Sequence, residues 1–361
     1  MTQTISSYAL SEHTTSRHPR ICFVGPMLGR HAGWVPNPAE ILAPRLAQAG
    51  YTCLLTSPVR NRYLRLLDII QTLVRARRRI DIICLQAYSG PSIVVELVVG
   101  ILAKMIRRPV VTVLHGGDMP AFMSRHPRVT KRVLGYTCVL VTPSPYLAHS
   151  VQRHGFVARV IPNMIDLDRY PFRPRRNLRP RLLWMRTFHP IYNPELAIDV
   201  LEQVSRVYPD VTLTMAGQEK GSLETVRRRA LDRGLQDRVR FAGFFDMPRK
   251  QAEFAAHDIF LNTNHIDNMP VSLVEAGAFG LPIVATAVGG IPFLLRHAES
   301  ALLVPDGDAA AMSGAVTRLL SDPDLAERLS AAGRHLAEQC DWSRTRALWD
   351  SVFETAMNVP R

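Results

Sequence analysis

The chain has 361 residues, enough for two domains of ordinary size. Hydrophobic residues make up 47% and charged residues 21%, and the mean hydropathy is near zero. This composition excludes disordered, collagen-like and disulfide-scaffold proteins. The formal net charge of +13 is uneven, because residues 1–176 carry +16 and residues 177–361 carry −3. Such an asymmetry indicates an anionic partner for the first half.

The N-terminal segment and the cysteines bear on where the protein acts. Residues 1–19 are polar and lack the apolar core of a secretory signal, so we interpret them as a flexible segment. The longest apolar stretch, residues 93–106, is too short to span a bilayer and contains Glu96 and Lys104. Five scattered cysteines are typical of reduced thiols rather than of disulfides or a zinc site. We therefore expect a cytoplasmic protein.

Short apolar runs alternate with longer helical patterns along the whole chain. Most of these runs are continuous, which is typical of strands buried on both faces of a parallel sheet. The predicted strands are residues 21–25, 52–56, 80–85, 110–114, 138–142, 159–161, 182–185, 211–216, 239–242, 259–261, 283–285 and 302–304. Two successive sets of strand–helix units predict an α/β protein with two Rossmann-like, doubly wound domains, each binding ligand at the carboxyl ends of its strands.

A boundary between the two domains is visible in the composition. Residues 169–180 are rich in proline and arginine and show no periodicity, so we expect an extended, fairly stiff linker. It separates an N-terminal domain over residues 20–168 from a C-terminal domain over residues 181–340. The last apolar pattern predicts a helix with no strand after it. Residues 341–361 are therefore expected to hold a C-terminal helix that packs across the cleft.

The segment after the tenth predicted strand carries two carboxylates around a helix start. Pro270 suits the first turn of a helix over residues 271–279, which would end at Gly280. Asp267 precedes that helix, and Glu275 lies one turn inside it. Since Glu275 is embedded in an apolar helix, its carboxylate requires hydrogen-bond donors.

Two interpretations of this segment are open from spacing alone. Hydroxyls of a ribose or a sugar would supply donors to Glu275, and the free amides of residues 269–272 would bind a phosphate. Alternatively, Asp267 caps the helix and Glu275 is paired structurally.

At this point the chain resembles glycosyltransferase family 4, a family of retaining transferases with two Rossmann-like domains facing each other across a cleft (the GT-B fold). Residues 267–275 look like the family's Glu-x7-Glu signature. Residues 160–163, 238–243 and 280–290 are similar to further family motifs, so the resemblance covers about residues 20–355. It implies the GT-B fold and a nucleotide-sugar donor.

The resemblance implies roles for residues of the C-terminal domain. Glu275 would hold the ribose hydroxyls of the donor, Asp267 and the amides after it the transferred sugar, and Arg186 the diphosphate. Two positions depart from the family pattern: Asp267 stands where glutamate is usual, and Tyr192 or Asn193 occupies the place of a lysine that normally accompanies the arginine. Loss of that lysine removes charge stabilisation of the leaving group.

Two segments of the N-terminal domain are further candidates. The glycine-rich loop over residues 25–33 does not have the G-x-G-x-x-G spacing of a dinucleotide site. The resemblance places it opposite the donor diphosphate or the acceptor, and a mobile surface loop is the alternative. His115 and Asp118 follow the fourth predicted strand, where the family has a histidine near the reacting sugar. A structural histidine is the alternative there.

The sequence and the resemblance together predict one set of site residues. The catalytic candidates are His115, Arg186 and Asp267. The donor-binding candidates are Gly25, Gly29, Gly33, Arg186, Gly217, Gly243, Asp267, Asn268, Met269, Pro270, Val271 and Glu275, and the acceptor-binding candidate is Asp118.

The predicted function is sugar transfer from a UDP- or GDP-sugar to a hydroxyl of a glycan or lipid-linked acceptor, in polysaccharide or glycolipid synthesis. No metal motif occurs, so neither a metal nor another cofactor is expected. The resemblance implies a retaining mechanism in which the donor phosphate helps to deprotonate the acceptor. A nucleotide-sugar epimerase on the same fold and a non-catalytic glycan-binding or scaffold subunit are the alternatives.

Basic runs at residues 60–65, 75–79 and 104–108 lie beside apolar segments. This arrangement suits peripheral contact with an anionic membrane, and a solvated charged face is the alternative. No nucleic-acid partner is expected, because aromatic residues make up only 7% and no binding module is recognisable.

Overall fold

The computed structural model describes residues 18–31, 34 and 36–359. In this part of the chain, twelve strands form two six-stranded sheets in which every neighbouring pair is parallel. The predicted architecture of two Rossmann-like domains is thereby confirmed. Residues 1–17 of the predicted flexible segment lie outside the described residues.

The first sheet has the strand order β2-β1-β3-β4-β5-β6. Its strands are β1 (Arg20–Val24), β2 (Thr52–Thr56), β3 (Ile82–Ala87), β4 (Val110–Leu114), β5 (Val139–Thr142) and β6 (Ala158–Val160). The helices of this domain are α1 (Pro38–Gln48), α2 (Arg62–Ala76), α3 (Ile93–Met105), α4 (Met119–Arg125), α5 (Pro127–Leu134) and α6 (Pro145–Gln152).

Both faces of the first sheet are covered, and β4 shows how. Val110 and Leu114 pack on one side against the helices α2 to α6, whereas Val111 and Val113 pack on the other side among residues of α1 and the C-terminal helix. Alternate side chains of a strand point to opposite faces, so a strand covered on both sides is apolar throughout. This explains the continuous apolar runs in the sequence.

The second sheet has the strand order β12-β11-β10-β7-β8-β9. Its strands are β7 (Arg181–Met185), β8 (Thr212–Ala216), β9 (Val239–Gly243), β10 (Ile259–Asn262), β11 (Ile283–Thr286) and β12 (Leu302–Val304). Its helices are α7 (Pro194–Ser205), α8 (Leu223–Asp232), α9 (Met247–Ala256), α10 (Val271–Phe279), α11 (Ile291–Leu294), α12 (Ala309–Ser321) and α13 (Pro323–Gln339).

The C-terminal helix α14 (Trp342–Met357) returns from the second domain to the first. Its first residue, Trp342, donates its backbone N–H to the carbonyl of Ile165 (3.2 Å). Trp349 and Phe353 are buried in the core of the first domain, and the Tyr51 hydroxyl donates to Asp350 Oδ1 (2.7 Å). The helix therefore ties the two domains together at the side opposite α2 to α6.

Helix α10 is the most deeply buried helix of the second domain: all of its residues except Val271 are buried. A helix that is apolar on every side is stable only when it is enclosed. Pro270 precedes it, and Gly280 ends it in the left-handed conformation (φ +82°) that favours glycine. These are the bounds that the sequence predicts.

Within the linker, Arg175 is almost completely buried. Its guanidinium donates to the carbonyls of Phe254, His257 and Phe279, which lie at the carboxyl ends of α9 and α10. A cation there complements the negative end of each helix dipole. Burial, together with neighbouring arginines, lowers the pKa of Arg175 to about 9. The linker is thus docked on the second domain and holds α10 from its carboxyl end.

We expect Gly277→Ala in α10 to lower the stability of the fold. A Cβ atom at Gly277 would lie 2.4 Å from the carbonyl oxygen of Gly333 in α13, and since the contact is with backbone, the helices must separate. The expected loss is about 1–3 kcal/mol in the free energy of unfolding, measured by urea denaturation. Gly314→Ala in α12 is the matched control, because a Cβ there meets nothing within 4 Å. The control should be neutral or stabilising, and equal effects of the two substitutions would contradict the packing argument.

Candidate functional site

Apart from Gly33, which lies outside the described residues, the predicted site residues lie where the carboxyl ends of the two sheets face each other, the usual ligand position in doubly wound folds. Gly117, after β4, approaches Asp267 so closely that a Cβ atom would lie 3.0 Å from the Asp267 carbonyl carbon. The Ser144 hydroxyl donates to Asn268 Oδ1, and Asn163 Nδ2 donates to the carbonyl of Met269 (3.2 Å). The loop before α10 is therefore the contact point between the domains.

Arg186 and Asp267 form an ion pair at the centre of this edge. Arg186 Nη2 donates to Asp267 Oδ2, which also accepts from Asn264 Nδ2 (2.8 Å). The Asn268 backbone N–H donates to Asp267 Oδ1 (2.8 Å), so both carboxylate oxygens are engaged. The Arg186 guanidinium stacks on the ring of Tyr192 at 4.3 Å. Burial is the largest single influence and opposes the charge, but Asp267, Tyr192 and Glu275 together outweigh it and raise the pKa of Arg186.

Around this ion pair the structure leaves buried polar atoms without a hydrogen-bond partner among the described residues. They are Arg186 Nε, Gln218 Nε2, Asn264 Oδ1 and Ser272 Oγ. The first three follow β7, β8 and β10, and the fourth opens α10. Each buried, unpaired polar group costs about 1–3 kcal/mol. Their convergence at one edge of the sheet indicates a site for a polar ligand.

Glu275 is held by two donors from distant parts of the chain. Lys250 Nζ (2.6 Å) and the Tyr170 hydroxyl (2.9 Å) both donate to Oε1. Burial and the neighbouring carboxylate raise the pKa of Tyr170, which therefore stays a donor. Glu275 Oε2 accepts no hydrogen bond from the described residues. The structural pairing considered from the sequence is thus present on one oxygen, and the other is left for a ligand.

Two predicted glycines lie at the same edge. Gly217 has φ +151°, and a Cβ atom there would lie 1.7 Å from the Arg186 carbonyl oxygen, so only glycine fits. Its N–H donates to the carbonyl of Gly243 (2.9 Å), which has φ +71° and open space around it. The backbone of Gly217 therefore packs directly against that of Arg186.

His115 is buried at the end of β4 and is held in one protonation state. Its Nε2 lies 2.8 Å from Gln86 Oε1, and its ring stacks on Tyr88 with centroids 5.0 Å apart. Since Gln86 Oε1 is an acceptor, Nε2 carries the hydrogen. Burial lowers the pKa of His115 to about 4, so the ring is neutral at pH 7. Its Nδ1 has no partner among the described residues and is free to accept a hydrogen bond.

The glycine-rich loop lies beside this histidine. Gly25 packs on Gln86, where a Cβ would lie 2.9 Å from that residue's Cβ, and the Gly29 N–H donates to Glu40 (3.1 Å). Gly33 lies outside the described residues. Trp34 faces the second domain, with Lys220 Nζ 4.9 Å from its ring. Asp118 is exposed at the start of α4 and makes no hydrogen bond to the other predicted residues.

Several residues of this site were missed by the sequence analysis. Asn264 follows β10 and precedes Asp267 by three positions, a signal that could have identified it. Lys250, Tyr170 and Gln86 offer no such signal, because each reaches its partner only through tertiary packing. Tyr192, one of the two residues predicted to stand in the place of the family's lysine, supplies an aromatic face to Arg186.

Comparison with known sequences gives matches over both domains. The family model "Glycosyltransferase Family 4" matches residues 34–169, and "Glycosyl transferases group 1" matches residues 171–336. The phosphatidyl-myo-inositol mannosyltransferase of Mycobacterium leprae is 32% identical over 207 residues, which are 56% of this chain and 54% of that protein. The chain spans about half the length of the curated relatives it matches.

Solved structures share the fold over nearly the whole chain. Anabaena HepE in complex with UDP has a TM-score of 0.74 at 18% identity, covering 93% of this chain and 100% of that one. Sucrose-phosphate synthase from Thermosynechococcus elongatus has a TM-score of 0.77 at 17% identity, covering 95% and 100%. Since the two family models together match most of the chain and the fold agrees, the chain belongs to the family 4 glycosyltransferases of the GT-B fold.

Proposed function

We propose that this protein transfers a sugar from a UDP- or GDP-sugar to a hydroxyl of a glycan or lipid-linked acceptor, with retention of the anomeric configuration and without a metal. The observation that carries the proposal is the set of unpaired polar atoms, Arg186 Nε among them, at the carboxyl edge of the second sheet and the start of α10. Family membership supports the reaction class, and the UDP named with the Anabaena structure supports a nucleotide donor.

The diphosphate of the donor would lie between Arg186 and the first turn of α10. The free amides and the positive dipole end of a helix bind phosphate, and a guanidinium offers two parallel N–H groups to it. Asp267 neutralises Arg186 in the unliganded site, so the amides supply much of the attraction. Lys220 on the loop after β8 adds a cation at the same edge. Glu275 Oε2 would accept from the ribose hydroxyls while Lys250 donates to the other oxygen of the carboxylate.

In the transfer step the bond between the anomeric carbon and the diphosphate oxygen breaks, and the acceptor oxygen bonds to the same face of that carbon. The acceptor proton passes to the departing phosphate oxygen. Arg186 stabilises the negative charge that develops on the diphosphate. The Nδ1 atom of neutral His115 accepts a hydrogen bond from a hydroxyl. Asp267 positions Arg186 and also accepts a hydrogen bond from the sugar.

A nucleoside diphosphate should stabilise the fold through this site. We expect a thermal shift with UDP or GDP but not with ADP, corresponding to about 2.7 kcal/mol at a hundredfold excess over Kd. Glu275→Gln keeps the shape of the side chain but weakens its interaction with ribose hydroxyls, so the shift should shrink.

The matched control is Asp258→Asn. Asp258 is also a buried carboxylate of the second domain, held by Arg173 and Arg179, but it precedes β10 at the opposite edge of the sheet. This variant should lower the melting temperature and keep the full nucleotide shift. Absence of a shift with every nucleotide would contradict the proposed donor site and favour a scaffold subunit.

Catalysis should depend on Arg186 and not on a divalent metal. No three His, Cys, Asp or Glu side chains converge as a metal site within residues 18–31, 34 and 36–359. We expect nucleotide release from the preferred sugar donor to be equal in EDTA and in magnesium. Arg186→Met should lower kcat by about 100-fold, as loss of one charge-stabilising donor does. Arg228→Met, on the exposed face of α8, should leave it unchanged; strong inhibition by EDTA would refute metal independence.

Membrane contact is proposed for the surface formed by α2 and α3. No helix among the described residues is long and apolar enough to cross a membrane. Leu64, Leu67 and Met105 are nonetheless 57%, 56% and 72% exposed on these neighbouring helices, among the basic runs. Exposed apolar groups flanked by arginines suit an anionic lipid surface. The phosphatidyl-myo-inositol acceptor in the name of one relative supports a lipid-linked acceptor.

Reversal of the charges at Arg75, Arg77, Arg78 and Arg79 should weaken co-sedimentation with phosphatidylcholine vesicles containing phosphatidylserine. Each basic residue near such a surface contributes about 1 kcal/mol, so the affinity should fall by a factor on the order of 10 or more.

The control for this prediction reverses four exposed arginines of the second domain instead. These are Arg227, Arg228, Arg318 and Arg328. The control matches the change in net charge and should retain most of the binding. Equal losses in the two variants would mean that net charge alone, and not the surface of α2 and α3, attracts the vesicles.

A further inference from the structure

We infer that a groove between α6 and α11 is the subsite for a sugar or cyclitol ring of the acceptor. The inference rests on the proposed function and names the acceptor chemistry that the site would take. The groove has a volume of about 590 Å³ and is lined by Tyr146, His149, Gln152, Arg153 and Phe293.

The lining combines aromatic faces with hydrogen-bonding groups at the rim. Phe293 is 48% exposed, and its ring centroid lies 5.9 Å from that of Tyr146 and 5.7 Å from that of His149. Gln152 and Arg153 are exposed beside these rings. A polyol ring has C–H groups on one face and hydroxyls around its edge. The aromatic rings would pack against the C–H face, and the Gln152 amide and the Arg153 guanidinium would form hydrogen bonds with the hydroxyls.

Both walls of the groove begin at the transfer site. Ser144, one residue before α6, donates to Asn268, which follows Asp267. On the other wall the Gly290 N–H, one residue before α11, donates to the Asp267 carbonyl (2.8 Å). Tyr146 and Phe293 lie in the first turn of their helices. The end of the groove at Tyr146 and Phe293 therefore lies within about one helical turn, roughly 5 Å, of the Asp267 loop, and the end at Gln152 and Arg153 lies about two turns along α6 from it.

The position of the groove fits the acceptor and not the donor. The proposed donor contacts lie on β7, β8 and α10, whereas the groove follows β11, on the other side of Asp267. Helix α6 also contacts α4, α4 contacts α5, and α5 contacts α3, so these helices form one layer that continues to α2. The first-domain wall of the groove thus belongs to the same helical layer as the proposed membrane surface. An acceptor anchored there would reach the transfer site through the groove.

The test is saturation-transfer NMR on the full chain in the presence of UDP. The probes are methyl α-D-glucopyranoside, methyl α-D-mannopyranoside, methyl β-D-galactopyranoside and myo-inositol. At least one ring should receive saturation from the wild-type protein. Phe293→Ala removes the aromatic face from an exposed position and should lower that signal about fivefold or more, as expected for an aromatic anchor. Phe293→Tyr keeps the face and should retain the signal.

Phe172→Ala is the control, since Phe172 is a comparably exposed phenylalanine (39%) in the linker. It should leave the ring signal unchanged. The inference is overturned if no probe receives saturation from wild type, or if the signal survives in Phe293→Ala. The UDP resonances in the same spectra report the donor site separately. If UDP receives no saturation, the proposed donor site is refuted. If UDP receives saturation and no ring does, only the acceptor subsite is refuted.

Discussion

The burial of α10 between the second sheet and α13 is the constraint on which the site depends. Gly277 and Gly333 let the two helices touch through their backbones, and Arg175 holds the carboxyl end of α10 through the Phe279 carbonyl. Neither contact involves the nucleotide chemistry directly. Together they fix where the helix begins, and hence where its free amides, the Asp267 loop and Glu275 lie. Because the helix is apolar on all sides, the Glu275 carboxylate depends on Lys250 and Tyr170 for its hydrogen bonds.

The electrostatics of the site follow from that enclosure. An isolated guanidinium at this depth would be costly, and Asp267 offsets the cost by pairing with Arg186. Arg186 Nε and several other polar atoms at this edge have no hydrogen-bond partner in the described part of the chain, so the unliganded site has a deficit of hydrogen bonds. A diphosphate that accepts from these groups would relieve this deficit without a change in the fold. Tyr192 confines the guanidinium to one plane, which favours two parallel hydrogen bonds to a phosphate.

Sequence reasoning succeeded where a local rule decides the structure. Continuous apolar runs predicted strands covered on both faces, and Pro270 with Gly280 predicted the bounds of α10. It failed where tertiary packing decides, because nothing in the sequence places Lys250 beside Glu275. For the same reason the sequence, which left Tyr192 and Asn193 as alternatives for the position of the family's lysine, does not place either of them beside Arg186. A motif position tells which residue type is absent, but only the structure shows that the ring stacks on Arg186. The roles assigned to the site residues stay predictions.

The two sides of the Asp267 loop differ in character, and under the proposed function this difference would separate the donor from the acceptor. On the α10 side, charged and unpaired polar groups are enclosed, as a nucleoside diphosphate requires. On the α11 side, Tyr146 and Phe293 form an open aromatic groove whose walls belong to different domains. A ring bound there would contact both domains, so acceptor binding would favour the arrangement in which Gly117, after β4, packs on Asp267. The helical layer from α2 to α6 connects this groove to the basic, apolar surface of the first domain. The excess charge of the N-terminal half is therefore concentrated on the domain that would receive a membrane-anchored acceptor.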